Sequence, residues 1–229
     1  MGIKNLFIFL PFLFQGFILN AQIMCGNSSF GFAKMAVANC KVDTISLLKN
    51  LPDSSYSTID NIHNYFIFSV IQKLGNQLKT AVNFIQIDSG KISKTITIPD
   101  SFTDIQYCDS DNNIYGISHQ NLLSVNSLTV FTQIVCKLPK YHLSNRETTF
   151  DQKNKRYLYN GLSNPNLEDF KTVAINTNTG SFTIFDKYVS APKYASIENK
   201  LYGTWGLWVI SYDLNTDIVD TICRVEGTL

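Results

Sequence analysis

The sequence predicts an all-β chain, and three observations carry the prediction. A short phrase, "DNNIYGIS" (Asp111–Ser118), returns 87 residues later as "ENKLYGTW" (Glu198–Trp205). The chain holds 16 Phe and 11 Tyr and is 45% apolar. Aromatic and β-branched side chains favour strands, and the abundant Asn favours turns. After Gln22 no segment sustains the apolar spacing of a helix.

A repeat at a fixed period decides architecture, so further copies matter most. "IHNYFIFS" (Ile62–Ser69) and "NKRYLYNG" (Asn154–Gly161) resemble the opening phrase, and the anchors Tyr65, Tyr115, Tyr159 and Tyr202 are 50, 44 and 43 residues apart. Each anchor precedes a hairpin signal of alternating apolar residues around a polar turn. These are Phe84–Pro99, Leu122–Pro139, Thr172–Pro192 and Trp208–Val225, with a weaker fifth copy at Ala36–Pro52. A four-stranded unit recurring every ~45 residues predicts a β-propeller. The expected form has about four full four-stranded blades plus an N-terminal half blade, either a partial or a five-unit propeller. The alternative is a β-sandwich of similar hairpins, which needs no self-similarity at one period.

The elements follow in order. Lys4, the apolar stretch Leu6–Leu19 and the small residue Ala21 read as a signal peptide over residues 1–21. Residues 22–229 then form a single domain, a size that suits one core. The half blade supplies strands C and D within Phe30–Leu51. In the third unit strand A is about Phe102–Cys108, B Asn113–Ser118, C Leu122–Asn126 and D Val130–Lys137. Stacked blades bury both sheet faces, which accounts for poorly alternating strands such as "YFIFSVI".

The stretch "NKLYG…LWVISYDLNTDIVDTI" resembles the blades of YVTN and quinoprotein-like (WD40-like) β-propeller repeat proteins. The resemblance spans about Ala36–Val225 and implies the fold, carrying over no catalytic residue. Trp-Asp blade ends, double-Gly kelch signatures and sialidase-type Asp boxes are missing, and two Trp are too few for the docking motifs of quinone-dependent dehydrogenases.

Composition narrows the function classes. Net charge is +1 and charged residues are 16%, which argues against nucleic-acid binding, since that needs concentrated basic charge. Five Cys is an odd count, too few for a disulfide scaffold. "NSS" makes Asn27 a glycosylation acceptor if the source is eukaryotic. Asp109, Asp111 and Asn113 alternate as calcium ligands do, but Ile114 and Gln120 stand where a calcium loop needs Gly and Glu. They read as an A–B turn, and no metal or cofactor is expected. His63, His119 and His142 lack metal-ligand spacing, and no nucleophile motif is visible.

In a propeller the D–A and B–C loops share one face, where function tends to sit. The expected B–C loops are Ile71–Thr80, His119–Asn121, Leu162–Phe170 and Thr204–Leu207. The expected D–A loops include Asp100–Ser101, Lys140–Asn145 and Ala191–Lys193. On them lie four candidate ligand-binding residues: Trp205, Tyr141, His142 and His119. Trp205 at a loop tip could stack on a sugar or anchor a partner, the competing reading being a tryptophan wedged between blades as packing, whereas Trp208 is expected inside strand C, in the core.

The chain thus reads as an exported binding module for a protein or carbohydrate, secreted or periplasmic, with no membrane span left after cleavage. A secreted hydrolase or lyase using the central face is the rival, and a truncated propeller the third reading. An open arc would expose blade edges, which favour a homodimer.

Overall fold

The fold is drawn from a computed structural model, which describes residues 23–28, 31–36, 41–46, 56–60, 62–75, 77–139, 141–142, 148–162, 170–195 and 198–224. The signal-peptide segment, residues 1–21, lies outside them. The described chain is all β, arranged as consecutive antiparallel sheets. Blade 1 holds β1 (Ile23–Ser28), β2 (Gly31–Ala36) and β3 (Lys41–Ser46). Blade 2 holds β4 (Tyr56–Asp60), β5 (Tyr65–Leu74), β6 (Gln77–Gln86) and β7 (Ile92–Ile98). Blade 3 holds β8 (Thr103–Cys108), β9 (Asn113–Ser118), β10 (Asn121–Asn126) and β11 (Thr132–Lys137). In blade 4, β12 (Tyr141–His142) and β13 (Thr148–Asp151) share the first position, followed by β14 (Arg156–Leu162), β15 (Phe170–Asn176) and β16 (Phe182–Phe185). Blade 5 holds β17 (Ser190–Ala195), β18 (Lys200–Trp205), β19 (Trp208–Asp213) and β20 (Ile218–Arg224).

Each of blades 2 to 5 is a meander, and the first strands β4, β8, β13 and β17 lie side by side in that order. This is the propeller arrangement, and the third unit matches its expected strands to within two residues. Two expectations change. The N-terminal sheet has three strands where two are expected, because β1 supplies strand B. The expected loop Ile71–Thr80 is mostly strand: β5 and β6 pair out to Leu74 and Gln77, leaving a two-residue turn at Gly75. Two extended arms can satisfy each other's backbone groups with few apolar residues, as the exposed Ile71, Gln72, Lys73 and Leu78 show.

Burial explains the weak alternation. One face of blade 2 sends Ile67, Val82 and Phe84 against Phe102, Tyr107 and Ile114 of blade 3, while Phe66, Phe68 and Ile85 form a cluster on its other face. Tyr115, Ile117 and Leu122 pack on Phe150, Tyr157 and Tyr159 of blade 4. Leu158 and Ala174 meet Leu201, Ile210 and Tyr212 of blade 5. A strand sandwiched between blades is apolar on both sides, so the usual period of two fades.

The blades share local devices. The residue just before strand B is left-handed in all four: Asn64, Asn112, Lys155 and Asn199. The turn from strand C to D also ends on a left-handed residue, Gly90, Val130, Gly180 or Asp217, whose N–H donates to the carbonyl four residues back. In blades 3, 4 and 5 the side chain of Asn126, Asn176 or Asp213 also accepts two backbone N–H groups of that turn. This is why Asn and Asp recur there.

Alternate blades are more alike than neighbours. Strand A is bulged in blade 3 between Thr103 and Gln106 and in blade 5 between Ser190 and Lys193, each around a left-handed residue, Asp104 or Ala191. No register shift interrupts the pairing of β4 with β5 or of β13 with β14. The bulge brings Phe102 or Val189 against strand B. A Cβ on Gly116 would meet the Phe102 ring at 2.7 Å, and one on Gly203 would meet Val189 at 2.4 Å. The unbulged blades carry Phe68 and Tyr159 at that position. The repeated phrase therefore marks bulged blades. Its acid bonds its tyrosine (Asp111 with Tyr115, Glu198 with Tyr202), its Asn takes the left-handed turn, and its Gly clears the bulge.

Candidate functional site

Trp205 closes β18 and Trp208 opens β19, paired across the turn of Gly206 and Leu207. Gly206, at φ +58°, permits the tight reversal. Trp205 is 63% exposed, as expected of a loop tip. Trp208 is 45% exposed, which corrects its expected core position: as the first strand residue it stands beyond the blade's packed centre. The Arg224 guanidinium lies 5.8 Å from the Trp208 ring centroid, a cation–π contact. Trp205, Gly206, Leu207, Trp208 and Arg224 line an open dish at this end of blade 5.

Of the other candidates, His119 is not among the described residues that line this dish. His119 is the left-handed residue of the β9–β10 turn; its Nδ1 lies 3.4 Å from Asp100 Oδ2 and 3.1 Å from Ser118 Oγ. Tyr141 and His142 form β12, paired with Leu162 and Gly161 at the far end of β14. Their side chains lie outside the described structure. The expected loop Ala191–Lys193 is part of bulged strand β17. Asn27 lies in β1 opposite Phe32, with its side chain likewise outside the description.

A second cavity, of about 330 Å³, opens on the opposite face at the junction of blades 2 and 3. Blade 2 contributes Asp60 from the end of strand A, His63 from the A–B turn and Tyr65 from the start of strand B; blade 3 contributes Tyr107, Asn112 and Ser127. Asp60 is 2% exposed. Its Oδ1 accepts the N–H groups of Ile62 and His63, and its Oδ2 lies 2.8 Å from His63 Nδ1. Tyr107 donates its hydroxyl to Asn112 Oδ1 at 3.0 Å. Burial, and then the Asp60 carboxylate, push the Tyr107 phenol far above its ordinary range, so it stays neutral. At the wall, the Lys94 ammonium donates to the Ser127 carbonyl and lies 5.5 Å from the Phe84 ring centroid.

Neither His63 nor Asp60 stands out by sequence spacing. The faint signal is that four residues separate the last residue of strand A from the first of strand B in each of blades 2 to 5: Asp60 and Tyr65, Cys108 and Asn113, Asp151 and Arg156, Ala195 and Lys200. Among the described residues, no group of three His, Cys, Asp or Glu could hold a metal ion, and no helix is long and apolar enough to cross a membrane.

No family model matches the chain, and no curated protein does. Solved structures do match. A chain of the nidogen/laminin complex superposes with a TM-score of 0.53 at 13% identity, over 83% of this chain and 70% of that one. TolB from Acinetobacter baumannii reaches 0.59 at 11% identity, over 85% of this chain and 49% of that one. An oligogalacturonate lyase in complex with manganese reaches 0.57 at 7% identity, over 86% of this chain and 60% of that one. The chain spans about half the TolB chain. At such identities the likeness establishes the propeller fold alone.

Proposed function

We propose that this chain is an exported propeller module that binds a protein or a carbohydrate through the tryptophan hairpin of blade 5. The observation that carries the reading is the pair Trp205 and Trp208, exposed together around one turn with Arg224 over the Trp208 ring. Large aromatics in water are costly, and clustered with an arginine they have the composition of an interface anchor. A flat indole face also suits the apolar face of a sugar ring. Export rests on the signal-peptide reading of residues 1–21, and Asn27 would then meet the glycosylation machinery of a eukaryotic source.

The test screens the natural secreted protein and Trp205→Ala/Trp208→Ala on glycan arrays and surface-protein libraries, with circular dichroism as the fold control. Loss of a reproducible hit in the folded double variant supports the reading. Hits that survive in that variant overturn it.

A further inference from the structure

The junction of blades 4 and 5 repeats the junction of blades 2 and 3, and the comparison assigns a ligand to the cavity. Counting from the end of strand A, Asp151, Asn154 and Arg156 in blade 4 stand where Asp60, His63 and Tyr65 stand in blade 2. Tyr194 and Asn199 in blade 5 stand where Tyr107 and Asn112 stand in blade 3. The bonds repeat too. Thr149 Oγ1 accepts the Tyr194 N–H at 3.1 Å, and Thr58 Oγ1 accepts the Tyr107 N–H at 3.1 Å. Tyr194 donates its hydroxyl to Asn199 Oδ1 just as Tyr107 donates to Asn112 Oδ1.

His63 and Asn154 differ in kind but bond the carboxylate alike, each through its N–H to Oδ1 and a side-chain nitrogen to Oδ2. The other differing position breaks the match. Between blades 4 and 5, Arg156 fills the space. It donates to Asp151 Oδ2 through Nε at 2.8 Å, and Nη2 lies 2.7 Å from the same oxygen as an ion pair. Nη2 also donates to Tyr194 Oη at 3.0 Å and Asn199 Oδ1 at 2.9 Å, and the guanidinium carbon lies 5.6 Å from the Tyr194 ring centroid. Between blades 2 and 3 that arginine is replaced by Tyr65, and the cavity opens. Asp60, Tyr107 and Asn112 remain, which are the same three acceptor types in the same arrangement.

We infer that the cavity between blades 2 and 3 is a binding site for a guanidinium group supplied from outside the chain, with Asp60, Tyr107 and Asn112 in the roles that Asp151, Tyr194 and Asn199 play toward Arg156. Forked donors suit a carboxylate flanked by neutral oxygens. Tyr65 and Phe84 add aromatic walls, and ring faces attract cations. Lys94 carries a positive charge of its own, but its ammonium is held by the Ser127 carbonyl and the Phe84 ring. His63, at the half-exposed rim, donates Nδ1–H to Oδ2 and leaves that oxygen a second lone pair. The group could come from a free small molecule or from an arginine on a peptide or protein. The inference stands independently of the tryptophan hairpin.

The test titrates the full chain by calorimetry with agmatine, with an arginine tripeptide blocked at both ends, and with its citrulline counterpart, which has the same shape without the charge. Saturable binding of agmatine or the arginine peptide is expected, weakened at least about tenfold with citrulline, since hydrogen bonds to charged groups contribute that much or more. Asp60→Asn should weaken binding to a similar degree. Tyr65→Arg should abolish binding while raising the melting temperature, because the chain then fills its own site; that rise proves the variant folds. Agmatine binding as tightly as the peptide would name a free amine as the source, and a peptide about tenfold tighter would name a protein-borne arginine. The inference is overturned if neither probe saturates the wild type, if citrulline binds equally, if Tyr65→Arg binds unchanged, or if inorganic phosphate is the probe that Asp60→Asn and Tyr65→Arg affect.

Discussion

Tyr65 and Arg156 occupy the same place in blades 2 and 4, the first residue of strand B directly after a left-handed turn residue. They turn two matching junctions into one open and one filled. Asp151, with a fully buried side chain, depends on that arginine for its charge balance. Arg156→Met should therefore lower stability by about 3 kcal/mol, the low end for breaking a buried pair because the guanidinium keeps some contact with water. Urea unfolding at constant slope measures it. A loss below about 1 kcal/mol would mean Asp151 is satisfied without its partner.

The glycines of the repeated phrase should resist even a methyl group. A Cβ on Gly116 would stand 2.8 Å from the Thr103 carbonyl oxygen, and one on Gly203 2.4 Å from the Ser190 carbonyl oxygen. Gly116→Ala and Gly203→Ala should each cost about 1–3 kcal/mol, since the bulged strand must shift. Gly75→Ala makes the comparison: nothing lies within 4 Å of its added Cβ, and only its φ of +64° resists substitution, at about 1 kcal/mol. Equal losses at Gly75 and Gly203 would remove the bulge from the explanation.

Val130 sits at φ +60° in the blade 3 hairpin, where blades 2 and 4 place Gly90 and Gly180. A β-branched residue is strained in that region. Val130→Gly should raise stability by about 0.5–1 kcal/mol, the relief of strain less the entropy cost of glycine. The melting temperature reports it, and a fall would show that the 40% exposed valine packs better than its exposure implies.

Alkali should unfold the protein through its buried tyrosines. Burial raises the Tyr115 phenol from its ordinary 10.0 to about 12. The unfolded chain loses this proton near pH 10 and the native state holds it until about pH 12. The contribution is fully present below pH 10 and is lost as the pH climbs through 12. Tyr107, Tyr157 and Tyr212 shift in the same direction. Phenolate absorbance should therefore appear partly in one steep step that coincides with loss of the circular-dichroism signal. Smooth titration of all tyrosines near pH 10 in a folded chain would contradict this.

The strands were legible because strand and turn are local. "NNIYGIS" carries its left-handed Asn, its aromatic and its closing turn within a few residues, and β9 runs over Asn113–Ser118 as expected. The place of Trp205 at the hairpin turn was legible for the same reason, but its exposure was not, since a tryptophan there could equally wedge between blades. Trp208 was not, because exposure at a strand end depends on what the next blade covers. The long arm of β5 and β6 looked like a loop because its stretch IQKLGNQLKT is mostly polar and centred on Gly75.

By itself the sequence determined the period, the hairpins and the all-β class, since these rest on side-chain periodicity and turn chemistry between near neighbours. Only the tertiary structure decided that blades alternate, that Tyr107 meets Asp60 from the next blade, and that one junction holds its own arginine while its twin stands open. Those pairings join residues more than 35 apart, and blade stacking, which no local pattern encodes, selects which of many polar side chains face each other.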